Sequence, residues 1–455
     1  MVHDVLVVGA GPAGISAAIA AAEQGASVLF LERMQAPALK FLVSGSGQCN
    51  LSHAGPIAEF MEHFGGGVKK GDSGRFLRPA LFGYSNTDLV AFCADRGLDL
   101  EESANGKLFP VTRRSRDVVD LFLAEAIRLG VEIQTSVRIL SARKSATGFE
   151  LGAERGADPT QESRRESDPT FQGRCLILAT GGKSYLLTGS DGDGYALALS
   201  LGHTLVEPGP ALTPVLGSMS GAGSYAPFVD CSGVSIPGTP ISVFRRGRKT
   251  AEGRGDVLFT HRGLSGPGIL DLSRNIRPGD EVRVSLAPGN GGSEACAKKL
   301  LAAIEAQGKR SVLRLLSGFG LPDSLARATL VSLGIESQAK AAELTRAARS
   351  ALAASLAEGG DGGHAFYVAN LGSWSEAMVT RGGVPLAEVN PKTMESRLVP
   401  GLFFAGELLD YDGDTGGYNI QAALSTGRLA GLQAGSQAGK PVAANPTSSD
   451  ENSRS

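Results

Sequence analysis

The sequence predicts an α/β fold, a Rossmann-like nucleotide-binding domain interrupted by a β-rich, barrel-like insertion that itself carries a helical insertion. Three observations predict it. The first forty residues read as strand, glycine turn, helix and second strand; the middle is rich in Pro, Gly and β-branched residues before it turns helical; and residues 401–431 repeat the pattern of a strand, a glycine loop and a small-residue helix.

In "HDVLVVGAGPAGISAAIAAAEQGASVLFLER" the β-branched run Val5–Val8 suits a buried parallel strand, Pro12–Glu23 an alanine-rich helix, and Ser27–Leu31 a second strand. Gly9, Gly11 and Gly14 stand at the first turn in G-x-G-x-x-G spacing. Gly9 permits the tight turn, Gly11 lets a pyrophosphate approach the backbone, and Gly14 lets helix and strand pack closely. Pro12 and Ala13 open the helix, whose unpaired N–H groups and positive dipole end suit phosphate. Glu32 ends the second strand, where a carboxylate can accept hydrogen bonds from ribose hydroxyls, and Arg33 follows it. A G-x-G-x-x-G alone also occurs in plain glycine turns; the flanking strand, helix and acid make the dinucleotide reading specific. Glu32 argues against a 2′-phosphate, leaving FAD or NAD.

Two later segments favour FAD. "CLILATGG" is a buried strand ending in Ala179, Thr180, Gly181 and Gly182, and "GLFFAGELLDYDGDTGGYNIQAALSTGRLAG" places Gly406 and Glu407 after a strand and Gly416, Gly417, Tyr418, Asn419 and Ile420 at a helix start. The chain is expected to leave the nucleotide domain and return to finish it. The loop "FLVSGSGQCN" offers Ser44, Gly45, Gly47, Gln48, Cys49 and Asn50 to the same cofactor. Cys49 reads as a small residue packed beside it; a redox role would need a partner thiol and none lies near in sequence, so a lone nucleophile is the alternative. The alternating Asp410, Asp412 and Asp414 suggest a calcium loop, but Thr415 and Gln421 stand where that loop needs Gly and Glu, so no metal is expected.

The ATG strand and terminal G-E pair resemble those of two-dinucleotide-binding-type flavoproteins. By that resemblance Glu407 hydrogen-bonds the ribityl chain, and the backbone of Gly416, Gly417 and Tyr418 faces the pyrimidine edge of the flavin. "KFLVSGSGQCNLSH", "ATGGKSYLLTGSDGDGYALALSLGHTLVEPGPALTPV", "LFTHRGLSGPGIL" and "AMVTRGGVPLAEVNPKTMES" extend the likeness, over residues 4 to about 433, to the BaiN/YhiN-type family of FAD-dependent NAD(P)H oxidoreductases. The resemblance implies an interrupted nucleotide domain and reduction of an activated C=C bond, with bile-acid intermediates and a ribosomal RNA uridine as substrate classes. Gln48 replaces the family's usual Arg and His53 its usual Asn, which marks a divergent subgroup and loosens any substrate transfer.

The expected division is an FAD-binding domain over 1–205 and 371–435, a β-rich domain over 206–285 and 358–370, a helical insertion over 286–357 and a disordered tail over 436–455; residues 154–174 read as a polar surface excursion.

If FAD is bound, hydride passes through flavin N5 and the protein supplies a proton. His261, Tyr418 and Tyr185 are the candidate donors, with His53 behind them, although each residue type is more often structural. His261 leads because it opens a glycine-rich loop ending in Pro267. His203 reads as helix-end chemistry. A second G-x-G-x-x-G in its own βαβ context is missing, so NAD(P)H is expected to visit transiently. An RNA-acting version draws on "FRRGRK" (Arg245, Arg246, Arg248, Lys249) and "TRRSR" (112–116), and a flavin-stabilised protein without turnover is the third reading.

Composition narrows the classes. With 455 residues the length prior is about three domains. A 42% apolar and 20% charged chain with a formal net charge of −2 is an ordinary soluble protein without bulk attraction to nucleic acid or anionic membrane. Five scattered cysteines without a C-x-x-C pair argue against a disulfide framework or zinc and for a cytoplasmic home. No membrane span is expected, since no stretch approaches the roughly 18 uninterrupted apolar residues required, and "ISAAIAAA", which could pass for a signal peptide's apolar stretch, lacks a basic leader and follows Asp4. A small-molecule substrate is the expected partner.

Overall fold

The computed structural model describes residues 1–439 apart from 70, 104, 156–168 and 360–361. Most of the expected surface excursion over 154–174 and residues 440–455 of the expected tail lie outside the described residues.

The main sheet has seven strands. Val2–Val8 lies at its centre, parallel to Val28–Leu31 on one side and to Thr170–Leu178 on the other; Glu132–Gln134 extends the first side. The far edge of Thr170–Leu178 is shared. Its first half pairs antiparallel with Phe149–Arg155, which in turn pairs with Val137–Lys144, and its last three residues pair parallel with Leu402–Phe404. Burial on both faces explains the unbroken apolar runs Val5–Val8 and Leu176–Leu178. The late strand Leu402–Phe404 is as buried as the early ones, so the last part of the chain completes the sheet that the first part begins.

The helix Pro12–Glu23 follows from its residues: Pro at its start, an extended Gly11 before it, and seven alanines and isoleucines buried along its length (Ala13, Ile15, Ala17, Ala18, Ile19, Ala20, Ala21). It packs on the C-terminal helix Tyr418–Ala438, which presents Gly427, Gly431 and Gly435 at four-residue spacing. A Cβ on these glycines would stand 2.1 Å, 2.1 Å and 2.8 Å from the carbonyl oxygens of Ala13, Ala17 and Ala21, so bare backbone sets the helix separation. The helix includes residues 436–438, which the sequence assigns to a disordered tail.

Between the chain segments that build the sheet, the chain forms a closed six-stranded barrel, in the order Val215–Gly217, Gly263–Ser265, Arg248–Phe259, Ser235–Arg245, Glu281–Val284, His364–Leu371. Tyr225, Phe228, Phe259 and Phe366 fill it. The helices Ser293–Gln307, Val312–Ser317, Asp323–Ser332 and Arg346–Leu356 fall between the last two strands, which are themselves neighbours, and share one apolar core with the barrel. The expected barrel-like insertion carrying a helical insertion is thus observed. A two-stranded ribbon, Val206–Ala211 with Val379–Gly383, carries the chain out to the barrel and back.

No helix among the described residues is long and apolar enough to cross a membrane, and none of their His, Cys, Asp and Glu side chains form a group that could hold a metal. All five cysteines are buried and unpaired.

Candidate active site

The carboxyl ends of the parallel strands converge on one cavity of about 670 Å³. Val8 and Gly9 end the first strand, Leu31 and Glu32 the second, Leu178 is followed by Ala179 and Thr180, and Phe404 by Gly406 and Glu407. Open α/β sheets bind ligands at this place, and the volume is that of a small-molecule site.

The glycine turn divides its tasks as its spacing requires. Gly9 has φ +99°, and a Cβ on it would meet the Ala179 carbonyl oxygen at 2.6 Å. A Cβ on Gly14 would lie 1.9 Å from the Gly9 carbonyl, so Gly14 lies behind the turn and off the cavity wall. Gly11 lines the cavity, and a Cβ there would meet no atom within 4 Å. Glu32 is 8% exposed; Oε2 accepts from Ala10 N and Oε1 from Met34 N, both at 2.8 Å. Burial pushes its carboxyl above the usual range, against those two amides. Each oxygen keeps a lone pair for a further donor. Arg33 is held by Asp191 at 2.5 Å and Asp193 at 3.0 Å, and Arg138 reaches Asp193 at 2.8 Å; all four line the cavity. Of these flanking residues, Asp191 and Asp193 lie in the family-like segment "ATGGKSYLLTGSDGDGYALALS", which gives them no role by itself, and Arg138 lies in no such segment.

Glu407 is more occupied than the sequence suggests. Its Oε2 takes a hydrogen bond from Lys40 Nζ at 2.6 Å, and its Oε1 takes others from Thr380 N at 2.8 Å and Ser184 Oγ at 3.1 Å. Lys40 also donates to Ser184 Oγ at 2.7 Å and lines the cavity. Glu407 therefore fastens three segments together while it lines the wall.

Among the loop candidates, Ser44, Gly45 and Asn50 line the cavity. With its amide turned to donate to Ser52 O at 3.1 Å, Asn50 accepts from Gly417 N at 3.1 Å, tying this loop to the C-terminal glycine turn. Gly416, Gly417, Asn419 and Ile420 line the cavity at the start of the long helix, whose N-terminal dipole end points there.

Several candidates are not brought to the cavity. Gly47 and Gln48 are exposed on the far side of their tight turn, where Gln48 N donates back to Gly45 O. Cys49 is fully buried beneath the loop and off the cavity wall, and burial pushes its thiol up to about 12, all of which argue against the nucleophile reading. Gly182 sits behind Glu407, where a Cβ would meet Oε1 at 2.7 Å. His261 is exposed outside the cavity because Thr260 N donates to Gly263 O and puts it at the tip of that turn; Pro267 and Leu270, farther along the same segment, do reach the wall. Tyr418 is 5% exposed and off the wall, its ring stacked against His63 at 4.1 Å and His53 at 5.3 Å. Its phenol is pushed up to about 12, chiefly by burial. Tyr185 lines the cavity, in a turn whose Gly189 abuts Arg33 and Met34. His203 is a buried structural residue between Glu388 Oε2 and Ser396 Oγ, each at 2.8 Å.

The family profile described as "HI0933-like protein Rossmann domain" matches residues 3–433. The chain belongs to the HI0933-like family. A 3-dehydro-bile acid delta(4,6)-reductase of Clostridium scindens is 32% identical over 438 residues, 94% of this chain and 98% of that protein. A ribosomal RNA dihydrouridine synthase of Escherichia coli is 28% identical over 440 residues, 93% and 96% of the two chains. Among solved structures, a 3-ketosteroid-Δ4-(5α)-dehydrogenase from Rhodococcus jostii is similar at 18% identity with a TM-score of 0.48, covering 95% and 96%. HI0933-like proteins are Rossmann FAD-binding flavoproteins, and this one is an FAD-dependent oxidoreductase. The residues present fit that cofactor: Gly11 leaves open space where a side chain would intrude, and Glu32 keeps acceptor capacity beside it.

Proposed function

We propose that the protein reduces an activated C=C bond of a small, largely apolar substrate with electrons from NAD(P)H. The observation that carries the reading is the wall that the insertion adds to the cavity. Pro267 and Leu270 of the insertion, with Leu212, Met378 and Val379 at the end of the ribbon that leads to it, face it there, and such a surface suits an apolar ring more than a nucleotide. In this reading bound FAD supplies a two-electron carrier between the nicotinamide donor and the substrate. Gly9, Gly11, Pro12 and Ala13 cradle its phosphates, Glu32 accepts from its ribose, and Asn50 with the Gly416–Ile420 turn holds the flavin end. The insertion wall orients the substrate and keeps water out. The C. scindens relative, named for reduction at a 3-dehydro-bile acid, supports this class. The five unpaired cysteines suit a reducing compartment.

Ribosomal RNA is the second reading, supported by the E. coli relative's name. The basic clusters support it weakly, because most of their charges are spent internally: Arg245 on Asp280, Lys249 on Glu252, Arg113 on Glu101 and Arg114 on Asp117. The test is anaerobic stopped-flow spectroscopy of the purified protein. Flavin absorbance should bleach with NADH or NADPH and return on adding a 3-oxo-4,6-diene bile acid. A colourless protein that takes up no FAD sinks the reading, and return only with ribosomal RNA transfers it to the second. A bleached flavin that no acceptor reoxidises leaves the non-catalytic flavoprotein.

A further inference from the structure

We propose that His63 and Asp414 form the route by which a proton enters the cavity, an inference that rests on the reductase reading above. Asp414 lines the cavity next to Thr415 and Gly416. His63 does not line it, yet 39% of its side-chain surface is exposed, so the imidazole meets solvent outside. Between them a single hydrogen bond, His63 Nδ1 to Asp414 Oδ2 at 3.0 Å, links the outside to the wall.

The pair is held on every side. Asp414 N donates to the His63 carbonyl at 2.9 Å, and the short strands Phe64–Gly65 and Asp412–Gly413 pair beside it. The Tyr418 ring lies flat on the imidazole, with centroids 4.1 Å apart and planes 13° apart. Arg274 reaches from the barrel segment to Asp414 Oδ1 at 2.7 Å and to Asp412 at 2.7 Å. A Cβ on Gly65 would stand 2.7 Å from the Arg274 side chain, so the glycine makes room for it. The charged and titratable groups facing Asp414 are thus His63, Arg274, Asp412, Asp271 and Tyr418. Arg274 is a positioning residue: it fixes one carboxylate oxygen and leaves the other to the histidine.

The step balances as follows. A hydride, carrying two electrons that originate in the reduced nicotinamide, adds to one carbon of the double bond. The Asp414 carboxylate takes a proton from His63 Nδ1 and passes it to the other carbon as the π pair moves there. The imidazole takes one from water at Nε2. The substrate gains one hydride and one proton, and solvent loses one proton.

Flavin absorbance in the two half-reactions tests this in the holoenzyme, with NADH or NADPH as donor and a 3-oxo-4,6-diene bile acid as probe. In Asp414→Asn and His63→Ala the bound-flavin spectrum and the rate of bleaching by the donor should stay within about twofold of wild type. Reoxidation by the probe should slow by roughly 10²-fold, the scale of a lost proton donor. Added imidazole should restore reoxidation in His63→Ala and not in Asp414→Asn. Wild-type reoxidation rates in both variants overturn the route while leaving the reductase reading intact. Equal slowing of both half-reactions also overturns it, since that is the mark of a structural lesion. A wild-type flavin that the donor bleaches but the probe fails to reoxidise removes the substrate reading and the route together.

Discussion

Gly431 lies against the carbonyl of Ala17 so closely that a Cβ on it would stand 2.1 Å from the oxygen. This contact joins a helix from the start of the chain to one from its end, and it is repeated one turn away on each side by Gly427 with Ala13 and Gly435 with Ala21. Because the obstacle is backbone, no rotamer relieves it. Gly431→Ala should therefore destabilise the protein by about 1–3 kcal/mol, the usual cost of overpacking, despite the better helix propensity of alanine. A urea midpoint at or above wild type would show that the helices can part without loss.

Gly11 is the opposite case. Its φ of −82° suits any residue, and a Cβ would touch no protein atom within 4 Å, so the apoprotein of Gly11→Ala should unfold at the wild-type midpoint. The added methyl instead occupies the space offered to the phosphates, and FAD affinity, followed by quenching of flavin fluorescence, should fall at least about tenfold, or about 1.4 kcal/mol. Unchanged affinity would place the cofactor elsewhere.

The contrast explains what the sequence discloses. Glycines at Gly9, Gly11 and Gly14 and the small-residue face of the last helix are legible because close approach forbids a side chain, so the residue type itself records the contact. Partnerships between long polar side chains leave no such record. Lys40 and Glu407 meet 367 positions apart, and nothing around Lys40 announces a partner. The expectation for His261 fails for a related reason: the segment it opens does reach the cavity at Pro267, but one turn-closing hydrogen bond between Thr260 and Gly263 leaves the imidazole exposed outside it. The barrel is legible in composition only, since Val215–Gly217 and Gly263–Ser265 are too short to show a period of two.

Cys49 yields a simple chemical test. The thiol is fully buried and pushed up to about 12, first by burial and further by neighbouring Cys93. Iodoacetamide at pH 8 should leave it unmodified in the folded protein, and Cys49→Ala should keep bound flavin and most turnover. Rapid alkylation at Cys49, mapped by peptide mass, would restore the nucleophile reading.

Asp271 should make stability fall with pH. It accepts from Thr415 N at 2.7 Å and Thr415 Oγ1 at 3.3 Å, yet burial, and then Asp414, push its carboxyl to about 6. An unfolded Asp ionises near 3.9, so between the two values the folded form holds more protons. The group's stabilising contribution is complete below about pH 4 and is lost as pH rises through about 6. Asp271→Asn keeps an acceptor and cannot ionise, so from pH 4.5 to 8 wild type should lose about 1–3 kcal/mol more than the variant. Parallel urea-stability curves would refute this.

The basic hairpin decides between substrates only if the right arginines are changed. Arg245 is bound through Nε and Nη2 to Asp280, each at 2.8 Å, and Asp280 is 1% exposed. Arg245→Glu would set a half-exposed carboxylate against the buried Asp280, with Arg277 as its remaining cation nearby, and should cost about 1–3 kcal/mol, so any loss of RNA binding in that variant reports damage to the barrel. Arg246 and Arg248 sit at the exposed tip between the strands Ser235–Arg245 and Arg248–Phe259. Arg246→Glu with Arg248→Glu should leave the unfolding midpoint unchanged and bile-acid reduction intact. If ribosomal RNA is the substrate, the same pair should weaken binding to a ribosomal RNA fragment and flatten its dependence on salt by about two units of slope at most. Salt-dependent binding that survives the double reversal would move the RNA contact away from this hairpin.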